Sequence, residues 1–86
     1  MNDRDDRIVM AILAALKTLD GYLVPEPVLH AEVNLRVVPN ALLSEFGEAL
    51  RTAESRRWIG AVRPKLGPTK WGLRDEGAAA YLELCK

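Results

Sequence analysis

The second half of the chain constrains the fold most, because three different patterns follow one another there without a long linker. A stretch that begins after Pro39 repeats apolar residues at helical spacing. Two segments rich in strand formers, residues 58–62 and 69–73, then flank Pro64-Lys65-Leu66-Gly67-Pro68. Two prolines and a glycine between strands indicate a turn, so we expect a hairpin. A last helix is predicted from about Glu76 to Leu84.

The first half predicts two further helices separated by a brief strand. The first helix is expected from about Asp3 to Leu19, with Asn2 or Asp3 as its cap and further acids at the positive end of its dipole. Asp20-Gly21 is a helix stop signal, since glycine suits the position after a helix end. Tyr22-Leu23-Val24 follows as a strand.

The second helix is expected from about Glu26 to Leu35, because Pro25 and Pro27 suit a first helical turn and not a strand interior. Pro39 then separates it from the third helix, since residues before a proline avoid helical geometry. The inward residues of the second helix are predicted as Val28, Leu29, Val33 and Leu35.

Two starts are open for the third helix: Asn40 caps an early start and Ser44 a late one, and we favour Asn40. Asp75 is expected to cap the last helix, which presents Ala79 and Leu82 to the first. Trp58 and Trp71 are predicted to pair across the hairpin and to pack on the helices. The apolar face of the third helix comprises Leu42, Leu43, Phe46, Ala49, Leu50 and Ala53.

Charge is unevenly distributed although the formal net charge is zero. Residues 1–55 hold five basic and nine acidic side chains, residues 56–74 hold six basic and no acidic ones, and residues 75–86 hold one and three. Binding to a polyanion depends on the local electrostatic field of the protein. The basic run at residues 56–74 therefore favours contact with nucleic acid. The zero total argues against strong non-specific binding.

Composition and residue spacing argue against several other classes of protein. Eighty-six residues allow a single domain over 1–86. The apolar stretch Ile8–Leu16 is too short to cross a bilayer, so we expect an intracellular, cytoplasmic protein that binds no membrane. His30 and Cys85 stand alone, which predicts neither a metal site nor a disulfide. No catalytic constellation is visible, so no enzyme and no cofactor are expected.

The order helix, strand, helix, helix, two-stranded wing, helix resembles that of winged helix-turn-helix proteins among bacterial regulators. The resemblance is carried by Phe46, Ala49, Leu50 and Ala53 on the third helix, by Arg57-Trp58-Ile59 at the entry to the wing, and by Leu73-Arg74-Asp75-Glu76-Gly77-Ala78 at its exit. It implies a mainly α fold with a small antiparallel sheet.

The resemblance also implies a function: a transcriptional regulator or accessory factor that binds double-stranded DNA, with the third helix at the major groove and the basic wing on the backbone. Base contacts are then expected from Asn40, Ser44, Glu45, Glu48 and Thr52. Phosphate contacts are expected from Arg51, Arg63, Lys65 and Lys70.

Two glutamates on the third helix leave an alternative open. Glu45 and Glu48 stand where a DNA-reading helix usually carries basic or neutral polar residues, and carboxylates are repelled by phosphates. The alternative is a winged helix that binds a protein partner and no DNA. A homodimer through the terminal helices is also expected, because Val9, Met10 and Leu13 widen the apolar stripe of the first helix.

Overall fold

The computed structural model describes residues 3–19 and 22–84. Within them the elements follow in the predicted order and form a mainly helical fold with a small antiparallel sheet. Asn2, Asp20-Gly21 and Cys85, for which a cap, a stop signal and an isolated thiol were predicted, lie outside the described residues. The elements are α1 (Asp3–Thr18), β1 (Val24–Pro25), α2 (Glu26–Asn34), α3 (Leu43–Ser55), β2 (Ile59–Val62), β3 (Lys70–Leu73) and α4 (Asp75–Leu84).

Helix α1 is the centre of the fold and packs against α2, α3, α4 and β3. Its acidic first turn complements the helix dipole, as expected. Val9 and Leu13 are buried inside this single chain. The argument that they are surplus apolar surface for a dimer was therefore wrong, and the homodimer stays a prediction without that support.

The sheet has the strand order β1-β3-β2, with antiparallel neighbours throughout. Trp71 lies opposite Ala61 and Val24, so the predicted pairing of Trp71 with Trp58 was wrong. Trp58 lies before β2 because its backbone caps the C-terminus of α3. The Trp58 backbone N–H donates to the carbonyl of Ala53 at 3.0 Å. Between them Arg57 has a left-handed φ of 62°, the geometry typical of a helix C-terminus.

Helix α3 begins at Leu43, later than the favoured cap Asn40 requires and without the alternative cap Ser44, which is already helical. Tertiary hydrogen bonds explain the delay. Asn34 Oδ1 accepts the N–H of Ala41 at 2.8 Å, and His30 Nε2 lies 2.9 Å from the Ala41 carbonyl. These bonds hold the preceding residues in a non-helical loop. Helix α4 includes Asp75 as its first residue, not as its cap.

Several predicted inward residues lie on the surface. Helix α2 buries Leu29 and Val33, one turn apart, and this narrow stripe leaves the other predicted residues outside. On α4, Gly77 is buried and Tyr81 packs on the core instead of the predicted pair. The residues wrongly predicted as inward are Val28, Leu35, Leu42, Leu43, Ala79 and Leu82.

One hydrophobic cluster joins the helices to the sheet. Phe46 and Leu50 are buried in it, as predicted, and Ile59 of β2 is buried with them. Trp58 and Leu73 are only partly buried and pack against its edge. The cluster fixes the position of α3 relative to the hairpin, and these two elements carry most of the predicted binding residues.

Candidate nucleic-acid interface

The outward face of α3 carries a narrow stripe of small and polar residues. Ser44, Gly47, Arg51 and Ser55 follow one another at intervals of three or four residues and therefore form one stripe. Gly47 is conspicuous because a Cβ built there meets no atom within 4 Å. Packing does not require a glycine at this position. The stripe is a surface that another molecule can approach closely.

Glu45 does not project freely from α3. Its Oε2 accepts Arg4 Nε at 2.7 Å and its Oε1 accepts Arg4 Nη2 at 3.0 Å, so the pair is bidentate. Oε1 also accepts the Leu42 N–H at 2.9 Å at the start of the helix. The hydrogen bonds from the Arg4 side chain and the Leu42 backbone lower the pKa of Glu45 to about 2. Its charge is therefore permanent near neutral pH but compensated by a cation.

Arg4 is a residue that sequence reasoning missed. Besides Glu45, its Nη2 donates to the carbonyls of Pro39 and Asn40, at 3.2 Å each. One side chain of α1 therefore holds both the loop before α3 and the first turn of α3. Arg4 and Glu45 are separated by 41 residues in the chain, so no local sequence pattern indicates their contact.

Glu48 and Arg51 form an exposed ion pair one turn apart on α3. Such pairs are weak, because water screens them and both side chains lose freedom when they meet. The pair neutralises the second glutamate of the predicted reading surface. It can also open, which leaves Arg51 able to contact another anion.

Arg63 directly follows β2, at the start of the hairpin loop, and is held against α3. Its Nη2 donates to both carboxylate oxygens of Glu54, at 3.1 and 3.2 Å. Its guanidinium also lies 5.8 Å from the ring centroid of Trp71, within the range of a cation–π contact. Trp71 in turn donates from Nε1 to Glu26 at 3.0 Å. Arg63 therefore anchors the hairpin and is less available for phosphate than its sequence position indicates.

The tip of the hairpin carries the available positive charge. Residues 62–68 are all exposed, and Gly67 turns the chain with a φ of 96°, a conformation that favours glycine. In the described part of the chain, no ion pair engages Lys65 or Lys70. These two lysines, unlike Arg63, remain fully available to an anionic partner.

Helix α3 and the hairpin border one cleft of about 340 Å³. Gly47, Arg51 and Glu54 line it from α3, and Arg63 and Thr69 line it from the hairpin. The stripe and the loop end of the hairpin therefore border the same cleft. The remaining predicted residues of α3 lie at a second hollow of about 270 Å³, which Asp5, Ser44, Glu45, Glu48, Ala49 and Thr52 line.

The isolated histidine of the sequence has a structural role. His30 stacks on Phe46 with ring centroids 4.6 Å apart, so it belongs to the loop support described above. Among residues 3–19 and 22–84, no group of three or more His, Cys, Asp or Glu side chains is arranged to hold a metal ion. No helix in those ranges has the length and apolarity needed to cross a membrane.

Comparison with known proteins adds no identification. No protein-family model matches the chain, and no curated protein matches it. Its own geometry is therefore the basis for any functional assignment.

Proposed function

We propose that this chain is a winged helix-turn-helix domain that binds duplex DNA, with α3 at the major groove and the β2–β3 hairpin on the backbone. The observation that supports the proposal is the shared cleft, which is lined by the stripe of α3 and by the loop end of the hairpin. A reading helix and a wing must face the duplex together, and this arrangement meets that requirement.

The ion pairs answer the electrostatic objection to this function. Glu45 is compensated by Arg4 and Glu48 by Arg51, so α3 does not present two bare carboxylates to phosphate. Because both oxygens of Glu45 already accept hydrogen bonds, it holds the loop and does not read a base. Base contacts in this proposal come from Ser44 and Thr52, Arg51 contacts a phosphate once its pair with Glu48 opens, and Asn40 lies in the adjoining loop.

Salt-dependent binding to a random-sequence duplex tests the proposal. Each phosphate contact that is lost flattens the slope of log K against log salt by about one unit. We expect Lys65→Ala with Lys70→Ala to flatten it by about two units and to weaken binding equally for all sequences. Arg7→Gln is the matched control, since Arg7 is an exposed cation that borders a groove beside Tyr81 of α4; its slope should equal that of the wild type.

A specific surface favours a second candidate, a winged helix that binds a protein. Leu35, Val38, Leu42 and Leu43 are all exposed around the loop between α2 and α3, and Val38 is 87% exposed. Clustered exposed apolar residues mark interaction surfaces more often than single ones do. This function predicts no duplex binding at about 50 mM salt, where phosphate contacts are strong, and photocrosslinking to a protein from position 43 but not from Lys17.

A further inference from the structure

The tip of the hairpin displays one large apolar side chain among cations. Leu66 is 90% exposed, the highest value of any large apolar residue in the described ranges. Lys65 precedes it and Lys70 lies on the adjoining strand, both without an ion pair among the described residues. A leucine this exposed contributes little to folding, so its side chain is available to contact a partner.

The tip is also preorganised. Pro64 and Pro68 bracket Leu66, and a proline ring fixes the backbone φ near one value. The Glu54–Arg63 pair ties the start of the hairpin loop to α3. A side chain presented by a restrained loop loses little conformational entropy when it inserts into a partner, and this lowers the cost of binding.

We propose that Leu66 is an apolar wedge that enters the minor groove, opens one base step and bends the duplex, while Lys65 and Lys70 bind the flanking phosphates. Stacked bases beneath a phosphate backbone are an apolar interior inside an anionic surface, which matches an apolar tip between two lysines. Apolar wedges unstack and kink DNA in this way in other minor-groove proteins. The proposal rests on the proposed DNA-binding function.

The wedge also predicts a sequence preference that needs no base hydrogen bond. Pyrimidine–purine steps, above all TpA, unstack and kink more easily than other steps. The protein should therefore prefer duplexes with a TpA step beneath the hairpin. An anionic bilayer is the competing partner for an apolar basic tip, but one leucine and two lysines give only weak membrane attachment.

The test uses a duplex of about 30 base pairs, short enough to be stiff when free. It carries 2-aminopurine beside a central TpA step and a fluorophore pair at its ends. Wild-type protein should raise the 2-aminopurine fluorescence and shorten the end-to-end distance. Leu66→Ser should abolish both effects and raise Kd about tenfold, since the buried apolar contact is lost, with an unchanged salt slope.

Two variants control the experiment. Leu82→Ser removes a 61% exposed leucine from α4 and should behave like the wild type. Lys65→Ala with Lys70→Ala should weaken binding yet still bend the duplex at saturating protein. Equal bending by Leu66→Ser overturns the proposal, as does tighter binding to phosphatidylserine vesicles than to the duplex. Binding without bending refutes the wedge alone, whereas a wild type that binds no duplex refutes the DNA-binding function as well.

Discussion

Gly77→Ala should destabilise the protein because α4 crosses the backbone at the base of the hairpin. A Cβ at position 77 would overlap the carbonyl oxygen of Trp58, and it would lie 2.8 Å from that carbonyl carbon and 2.9 Å from Leu73 Cδ1. Carbon atoms pack at about 3.5–4.0 Å. The helix must therefore move away from a carbonyl that accepts the Arg74 N–H at 2.9 Å.

The magnitude follows from three terms. Overpacking costs about 1–3 kcal/mol, and loss of the Arg74–Trp58 hydrogen bond costs about 0.5–1.5 kcal/mol. Alanine regains about 0.5–1 kcal/mol of helix propensity over glycine. We expect Gly77→Ala to lower the free energy of unfolding by about 2 kcal/mol, which corresponds to a fall in Tm of roughly 8–16 °C.

Gly47→Ala is the matched control, because it makes the same change in α3 where a Cβ meets no atom within 4 Å. Only the propensity term remains, so stability should rise by about 0.5–1 kcal/mol. Urea unfolding followed by tryptophan fluorescence measures both variants. A Gly77→Ala protein within about 0.5 kcal/mol of the wild type, the size of an ordinary surface substitution, would show that the close approach of α4 to Trp58 is wrong.

Three further predictions concern stability. Phe46→Ala should cost about 3–5 kcal/mol, because the ring fills the core; a loss below about 1 kcal/mol in urea unfolding, typical of a surface site, would place the ring outside it. Arg57→Gly should raise stability by about 1 kcal/mol, since glycine adopts the left-handed φ of 62° without strain; a lower Tm would contradict this. The hydrogen bonds from Arg4 and from the Leu42 backbone lower the folded-state pKa of Glu45 to about 2 from an ordinary 4.5. The stabilisation by the charged carboxylate is therefore present above pH 4.5 and is lost as pH falls towards 2. Acid titration of Glu45→Gln should therefore show a smaller loss of stability over that interval than the wild type, and equal losses would refute the link.

Local chemistry made the hairpin and the order of the elements predictable. Two prolines and a glycine define the turn, and helical spacing defines α1 and α3, so each signal lies within a few residues. The start of α3 was mispredicted because Asn34 and His30 hold Ala41 by tertiary hydrogen bonds. Asn40 does not cap the helix, although its residue type favours that role, because the adjacent Ala41 is held in the loop by these hydrogen bonds.

The electrostatics of the candidate site could not be predicted for the same reason. Glu45 and Glu48 are equivalent in sequence, yet Arg4 takes both oxygens of the first and Arg51 pairs weakly with the second. The sequence predicts a phosphate contact for Arg63, and this stays a prediction, but it gives no sign that Glu54 and Trp71 lie against the guanidinium. Periodicity identifies the exposed face of a helix, whereas charge compensation depends on which distant side chains fold against it.

The most direct test of the central claim is an NMR titration of the isotope-labelled protein with a random-sequence duplex at low salt. The proposal predicts amide shift changes concentrated on the outward stripe of α3 and at the hairpin tip, at Gly47, Arg51, Lys65 and Lys70, with none on the outer face of α4 around Leu82. Changes confined to the apolar loop around Val38, or no changes at all, would contradict it.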